Sequence, residues 1–271
     1  MKLFACICNQ PQRLAPALAP VRAALIAQPP VSRWGLGYMQ GGDALLVRTP
    51  KASPAPVDLA APLIAEIKTD CAIAQAVRDG DVALGGTDNT PPFRFRRWMY
   101  AHSGLPAGLL ADEVAPRLLA HVPDYLRRNL RGRTPAELTF HLFLATMHDA
   151  GHLDDPNLAP ATTARMLAAT LRLVGAELAR AGRPPRVAGS VAVTNGRSMI
   201  VAHLGAPLRL RRLWVNNDRG ERDPAFRGFL VVGGDAEDGR DAFKDGFEDV
   251  PAHHAVLISR DLQASIAELA P

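Results

Sequence analysis

The feature that most constrains the fold is a pair of helices in the middle of the chain, with short apolar strands on both sides. Residues 134–137, Thr-Pro-Ala-Glu, predict a helix start, because Thr can cap the first turn, Pro suits the first helical position and Glu completes a capping box. This helix is predicted to run from Glu137 to about Ala150 and to end at Gly151. A second helix, rich in Ala and Leu, is predicted over 161–181.

Short apolar runs predict strands before and after these helices. The runs before them are Leu3 to Cys8, Trp34 to Tyr38, Ala44 to Arg48, Cys71 to Val77 and Phe95 to His102. The runs after them are Val187 to Thr194, Arg197 to His203, Leu208 to Val215, Gly228 to Val232 and His254 to Ser259. Other segments are predicted as a loop (Gln10 to Pro20), helices (Val21 to Gln28 and Val57 to Lys68) and a largely helical stretch (Leu109 to Arg131). This order predicts an α+β fold, with two stacked sheets between helices.

Composition excludes several classes of protein. The 271 residues, 48% hydrophobic and 21% charged, suit one soluble globular domain. The net charge is +4, but acidic and basic residues are interspersed, so no nucleic-acid partner is predicted. No apolar run approaches the roughly 18 residues of a membrane-spanning helix. The three cysteines form no CxxC pair, which predicts neither a disulfide nor a zinc site and fits the reducing cytoplasm.

Two segments carry recognisable motifs: residues 89–93 read Asn-Thr-Pro-Pro-Phe, and residues 100–104 read Tyr-Ala-His-Ser-Gly. They resemble the Asn-Thr-His-Pro-Phe and Tyr-Ala-His-Asn-Gly core motifs of the class II glutamine amidotransferases. Weaker likenesses lie at 32–38 (to Asp-Gly-Trp-Gly-Ile-Ala), 73–78 (to Ala-His-Ile-Arg), 134–138 (to Thr-Asp-Ser-Glu-Ala) and 247–256 (to the closing Trp-x-x-Ile-Pro). The resemblance is to the compact branch of the family. It implies a single domain over 1–271 with the four-layer αββα sandwich of N-terminal nucleophile hydrolases.

The resemblance also implies a chemistry that this sequence alters. The family uses the thiol of an N-terminal Cys as nucleophile and that residue's own amino group as base. An Asn and a Gly donate hydrogen bonds to the oxyanion, and an Arg and an Asp bind the substrate glutamine. The matching positions hold Lys2 for the nucleophile, Ser103 for the Asn, Val77 or Arg78 for the Arg, and Pro135 for the Asp, while Gly104 is kept. We therefore expect a relative without glutaminase activity and without catalytic residues, cofactor or metal.

What remains is an expected binding cleft. Its predicted lining is Lys2, Trp34, Gln75, Arg78, Thr90, Ser103 and Gly104. Lys2 and Arg78 would make it basic, which predicts a small anionic ligand. A relative without the reaction is also expected to act as a regulatory or partner subunit, beside a synthase, another subunit or a second copy of itself.

Two alternatives stay open at this point. Cleavage before Cys6 or Cys8 would expose a new N-terminal thiol and predict an active amidotransferase or γ-glutamyl amide hydrolase. Against this, residues 3–5 match the strand that follows the family's nucleophile. Separately, His148-Asp149 resembles the metal-binding step of HD phosphohydrolases, with His121 or His141 as a further ligand. That fold is all-helical, whereas this sequence predicts many strands.

Overall fold

Two antiparallel β-sheets lie face to face between two layers of helix in the computed structural model, which describes residues 2–78, 85–185, 187–234 and 246–269. Seven strands form the first sheet, in the spatial order β13 (Phe247–Val250), β11 (Leu208–Leu213), β12 (Gly228–Gly234), β1 (Lys2–Cys8), β6 (Cys71–Val77), β3 (Arg33–Gln40) and β4 (Asp43–Thr49). Six strands form the second, in the order β15 (Ala264–Glu268), β14 (His254–Ile258), β10 (Met199–Leu204), β9 (Gly189–Thr194), β8 (Trp98–Ser103) and β7 (Phe93–Phe95). Two short strands, β2 (Ile26–Ala27) and β5 (Val57–Asp58), pair separately.

The helices cover the outer faces of the two sheets. Short helices, α1 (Leu14–Leu18) and α2 (Ala61–Ala65), cover the seven-stranded sheet, together with 3-10 turns at Pro11–Arg13 and Ala19–Leu25. The six-stranded sheet is covered by α3 (Ala115–Ala120), α4 (Asp124–Arg127), α5 (Pro135–Asp149) and α6 (Pro160–Arg180). The expectations of an α+β class and of four αββα layers are both confirmed.

Three apolar cores hold these layers together. Leu3, Ile73 and Met99 belong to the core between the sheets. Phe4 and Leu18 belong to the core under the short helices, and the core under α5 and α6 is the largest. Each central strand therefore buries both of its faces, which explains why these strands read as continuous apolar runs in the sequence.

Several predicted elements are confirmed. The strand from Cys71 to Val77 has the predicted bounds, and the two central helices lie within a residue or two of prediction. Gly41 and Gly42, with φ of 62° and 92°, turn the hairpin between β3 and β4. The hairpin around Asn195 is also present, although its loop spans 195–198 rather than two residues.

Other predictions were wrong in ways that the structure explains. The strand predicted over 95–102 is present from Trp98 as β8, but its start is a hairpin turn, because Arg96 takes a φ of 51° and reverses the chain between β7 and β8. The loop predicted over 10–20 is mostly helical, since proline fits the first turn of a short helix. The helix predicted over 57–68 shrinks to α2, because Val57–Asp58 pairs with β2.

Two further segments were only partly as predicted. The helix predicted over 21–28 is a 3-10 turn followed by β2. The stretch over 109–131 holds the end of a 3-10 turn (Ala107–Leu110), then α3 and α4, rather than continuous helix. The sequence also predicts that Asp79-Gly80 ends the strand before it and that an acidic, Gly-rich loop covers 233–249. Asp79-Gly80 and most of that loop lie outside the described residues, and the described part at 247–249 belongs to β13 instead.

Half of the predicted capping box at α5 is present. Thr134 Oγ1 accepts a hydrogen bond from the Glu137 amide at 3.2 Å. The Glu137 carboxylate turns instead to the preceding loop, where it accepts hydrogen bonds from the amides of Arg131 and Gly132 at 2.8 Å each. Glu137 thus ties the loop to the helix.

The cap leads to a first prediction. Thr134→Ala removes the acceptor of a buried helix terminus and is expected to lower the free energy of unfolding by about 1 kcal/mol. Thr134→Ser keeps the oxygen and is expected to retain most of that stability. Urea unfolding of the three proteins checks this, and equal losses for the Ser and Ala variants would contradict it.

Candidate functional site

The predicted cleft lies where the ends of β1, β6 and β8 meet. Lys2, at the start of β1, pairs with Ala76 of β6 and Gly234 of β12. Ser103 ends β8 in the other sheet. The fold therefore brings the ends of these strands together at one end of the sandwich, which is where the resemblance predicts the cleft.

The pleat of the strands separates the predicted cleft residues onto two faces. Leu3 and Ala5 pack between the sheets, whereas Phe4 and Cys6 pack under the outer short helices. Because side chains alternate along a strand, Lys2 belongs to the outer face. Trp34 lies in the same cross-strand row and packs against the outer core.

Gln75 and Ser103 belong instead to the space between the sheets. Gln75 follows Ile73 at a spacing of two and donates from Nε2 to the His102 carbonyl at 3.2 Å. Ser103 follows Met99 and Ala101, which both face the same space. Lys2 and Trp34 therefore lie on the outer face of the seven-stranded sheet, whereas Gln75 and Ser103 face the space between the two sheets.

Around Lys2 there is little room for a ligand. Lys2 is only 2% exposed. With Arg78 it borders a hollow that also includes Ala27 and Val31 and leaves no space for a water molecule. Arg78 donates to the Gln28 carbonyl at 3.0 Å.

Ser103 and Gly104 form a tight corner against β9. The Ser190 amide donates to Ser103 Oγ at 3.2 Å, and Oγ donates to the Ser190 carbonyl at 3.4 Å. Gly104 has a φ of 82°, and a Cβ on Gly189 would lie 1.6 Å from the Ser103 carbonyl oxygen. The Ser103 hydroxyl is therefore engaged in holding the corner between the two strands.

Thr90 is likewise engaged within the chain. It is fully buried, and its Oγ1 donates to the Gly86 carbonyl at 2.9 Å. The preceding residue, Asn89, accepts a hydrogen bond from Arg33 Nε on its carbonyl at 3.0 Å. This contact holds the 3-10 turn Thr87–Asn89 against the start of β3.

Behind the corner lies a buried polar chain that the sequence did not reveal. His102 Nε2 lies 3.3 Å from the Ala188 carbonyl, so this nitrogen carries the proton. The Tyr100 hydroxyl, 2.7 Å from His102 Nδ1, then donates to it. Burial lowers the pKa of His102 from 6.5 to about 3, against the smaller opposing effect of the Ala188 bond, so the ring is neutral.

The cysteines lie inside the fold. Cys6 and Cys8 pack in the core under the short helices, and Cys71 packs between the sheets. Burial raises the pKa of the Cys6 thiol well above its usual range and raises those of Cys8 and Cys71 to about 12. None of these thiols is in the environment of an activated nucleophile, which is electropositive and partly exposed.

Solved structures now give the fold its name. A glutamine aminotransferase class-II domain protein from Silicibacter pomeroyi matches with a TM-score of 0.61 and 16% identity, covering 100% of both chains. A predicted glutamine amidotransferase from Pseudomonas aeruginosa matches with a TM-score of 0.57 and 13% identity, covering 97% of this chain and 99% of that one. The chain has the class II glutamine amidotransferase fold.

A longer chain contains the same fold as one part of its length. The glutamine phosphoribosylpyrophosphate amidotransferase of B. subtilis matches with a TM-score of 0.56 and 14% identity, over 99% of this chain but 49% of that one. No protein-family model matches the sequence, and no match is found among curated proteins. At these identities the comparisons define the fold.

The structure does not support the alternative of a metal-dependent phosphohydrolase. His148 and Asp149 lie exposed at the end of α5, where His148 contacts the Tyr125 ring edge-on. His141 is buried in the middle of the same helix. Over the described ranges, no three His, Cys, Asp or Glu side chains form a group able to hold a metal. The all-helical fold behind this alternative is contradicted by the two sheets.

Along the parts of the chain that the structure covers, no helix combines the length and apolar character needed to span a membrane.

The buried His102 leads to a second prediction. In the unfolded chain His102 binds a proton below about pH 6.5, whereas in the folded protein it stays neutral down to a pH of about 3. Between these values the unfolded state binds more protons, so the free energy of unfolding should fall as the pH is lowered. The contribution is fully present above about pH 6.5.

His102→Gln offers the comparison, because the Gln amide can still bond to Ala188 and Tyr100 without titrating. Denaturant unfolding from pH 4 to 8 should show a smaller loss of stability for this variant than for the wild type. Other buried histidines are common to both proteins and cancel. Identical pH dependence would contradict the assignment.

Proposed function

We propose that this protein uses the class II glutamine amidotransferase fold for binding rather than for glutamine hydrolysis, and acts as a regulatory or partner subunit. The observation that carries the proposal is the residue at the start of β1, where the family's nucleophile would lie. That residue is Lys2, and its side chain is buried on the outer face of the sheet. An amine in this position provides neither the thiol nor the exposure that the reaction needs.

Ser103 supports the same proposal. It occupies the position of the family's oxyanion Asn, and both hydrogen bonds of its hydroxyl are made to Ser190. Removal of one oxyanion donor lowers the rate of such reactions about 100- to 1000-fold. Loss of the nucleophile and of a donor together would leave no useful hydrolysis.

The processed-cysteine alternative conflicts with the pairing of β1. Cleavage before Cys6 would remove Lys2–Ala5, and each of these residues pairs with both β12 and β6. The new terminus would lie in the middle of the central strand, with the Cys6 side chain fully buried. Cleavage before Cys8 would remove nearly the whole strand.

A partner role agrees with how the fold occurs elsewhere. In the B. subtilis enzyme the matched region is 49% of the chain, so there the fold is joined to a further region. By analogy, a separate synthase, another subunit or a second copy would supply what this chain lacks. The small anionic ligand predicted for the cleft at Lys2 and Arg78 stays a prediction, as does cytoplasmic location.

The third prediction tests hydrolysis directly. The purified protein should release no more ammonia from glutamine or γ-glutamyl amides than matched Cys6→Ser and Cys8→Ser variants, because no thiol is available to attack. Intact mass should include Lys2 to Ala5. Ammonia release that a Cys→Ser change abolishes, in a protein whose mass begins at Cys6 or Cys8, would overturn the proposal.

A further inference from the structure

A cavity of about 330 Å³ opens at one lateral edge of the sandwich, at residues different from those of the predicted cleft. This edge cavity is defined by Arg48, Phe93, Arg94, Arg131, Glu137 and His141. β4 is the last strand of one sheet and β7 the last strand of the other. The cavity lies between these two edges, with α5 and the loop before it as the remaining wall. Its volume is within the range of small-molecule sites, roughly 300–1,000 Å³.

Two glycines of β3 bring the edges close together. A Cβ on Gly35 would lie 2.4 Å from the Pro91 carbonyl oxygen, and one on Gly37 would lie 2.9 Å from Met99 Sδ. Because these side chains are absent, the chain at Pro91 and Pro92 crosses tightly over β3. It then enters β7 beside β4, which fixes the floor of the cavity.

Arg48 and Arg94 are fixed by backbone carbonyls rather than by acids. Arg48 donates to the Pro92 carbonyl from Nη2 at 2.6 Å and from Nε at 3.2 Å, and its guanidinium lies 5.7 Å from the centre of the Phe93 ring. Arg94 donates to the Ala44 carbonyl across the gap. Among the residues described, no carboxylate lies within 4 Å of the Arg48, Arg94 or Arg131 guanidinium. Their positive charge is not neutralised at contact distance.

The acidic side chain in the wall is already bonded. The Glu137 carboxylate is almost fully buried and accepts both the Arg131 and Gly132 amides. It therefore positions the loop that carries Arg131 instead of pairing with a guanidinium. Asp88 lies exposed at the rim.

His141 lines the cavity and carries a buried hydrogen-bond acceptor. Its Nδ1 lies 2.9 Å from the Glu137 carbonyl, which can only accept, so Nδ1 carries the proton. Nε2 is then an acceptor in the neutral ring, and burial lowers the pKa of His141, which favours that form. In the described part of the chain, Nε2 has no hydrogen-bond partner. A buried acceptor of this kind is satisfied by an O–H donor.

We propose that the edge cavity binds a small phosphate monoester that also carries a hydroxyl. Guanidinium groups from β4, β7 and the loop before α5 bind the phosphate, since arginine matches phosphate oxygens in geometry and charge. The hydroxyl donates to His141. This inference is independent of whether the protein hydrolyses glutamine, because the cavity shares no residue with the predicted cleft.

The fourth prediction tests the phosphate with glycerol 3-phosphate as the probe, titrated into the full chain by calorimetry. Arg94→Met and Arg131→Met should each weaken binding about tenfold or more, because each removes a charge-assisted contact. Arg128→Met is the matched control, since Arg128 is exposed nearby but does not line the cavity. Circular dichroism confirms that each variant folds.

Three outcomes would overturn the phosphate site. These are no binding at millimolar probe, an equal loss in Arg128→Met, or a loss in Arg78→Met instead, which would place the ligand in the predicted cleft. Each of these can occur whether or not the chain hydrolyses glutamine. A negative glutaminase assay therefore does not decide this test.

The hydroxyl is tested with n-propyl phosphate, which has the same charge and a similar length without the hydroxyls. Glycerol 3-phosphate should bind about fivefold more tightly, the contribution of one net hydrogen bond. His141→Phe should remove this difference and leave n-propyl phosphate binding unchanged. Equal affinity of the two compounds for the wild type would contradict the role of His141.

Discussion

The structure depends on a single strand, β1, that is enclosed on every side. It pairs with β12 and β6 along its length, and all seven of its residues are buried. Apolar cores cover both of its faces. This enclosure ties the chemistry of the N-terminal segment to the stability of the whole sandwich, because any change that frees Cys6 must also dismantle the centre of a sheet. The same burial keeps the thiols protonated.

Much of the fold could be predicted because its central strands are buried on both faces. Cys71–Val77 reads as a short apolar run, and the start of α5 combines a cap, a proline and an acid in the expected order. The hairpin at Arg96 could not be predicted, since no Gly or Asn marks the turn and the exposed Arg96 at positive φ forms its ion pair with the distant Asp154. Val57–Asp58 was missed because its pairing with β2 depends on a distant segment.

The candidate site was predictable as a region but not as a geometry. The motifs place Lys2, Gln75 and Ser103 at one end of the sandwich, yet strand alternation puts Lys2 on a different face from the other two. Side chains alternate between the two faces of any strand, but every residue of Leu3–Cys8 is apolar. The sequence therefore does not indicate which face each of these side chains occupies. Arg48 was missed because its role depends on the distant Pro92 carbonyl, which no local pattern indicates.

The arginines at the lateral edge also affect how the protein meets other chains. The unpaired edge of a sheet exposes backbone groups that can add a strand from another molecule. Here Arg94 of β7 binds the Ala44 carbonyl of β4, and Arg48 of β4 binds the Pro92 carbonyl beside β7. On this side of the sandwich, the β4 and β7 edges are thus joined by charged side chains. These contacts occupy carbonyls at or beside the edges, so this side is less open to strand addition and aggregation, although the sheets do not close into a barrel.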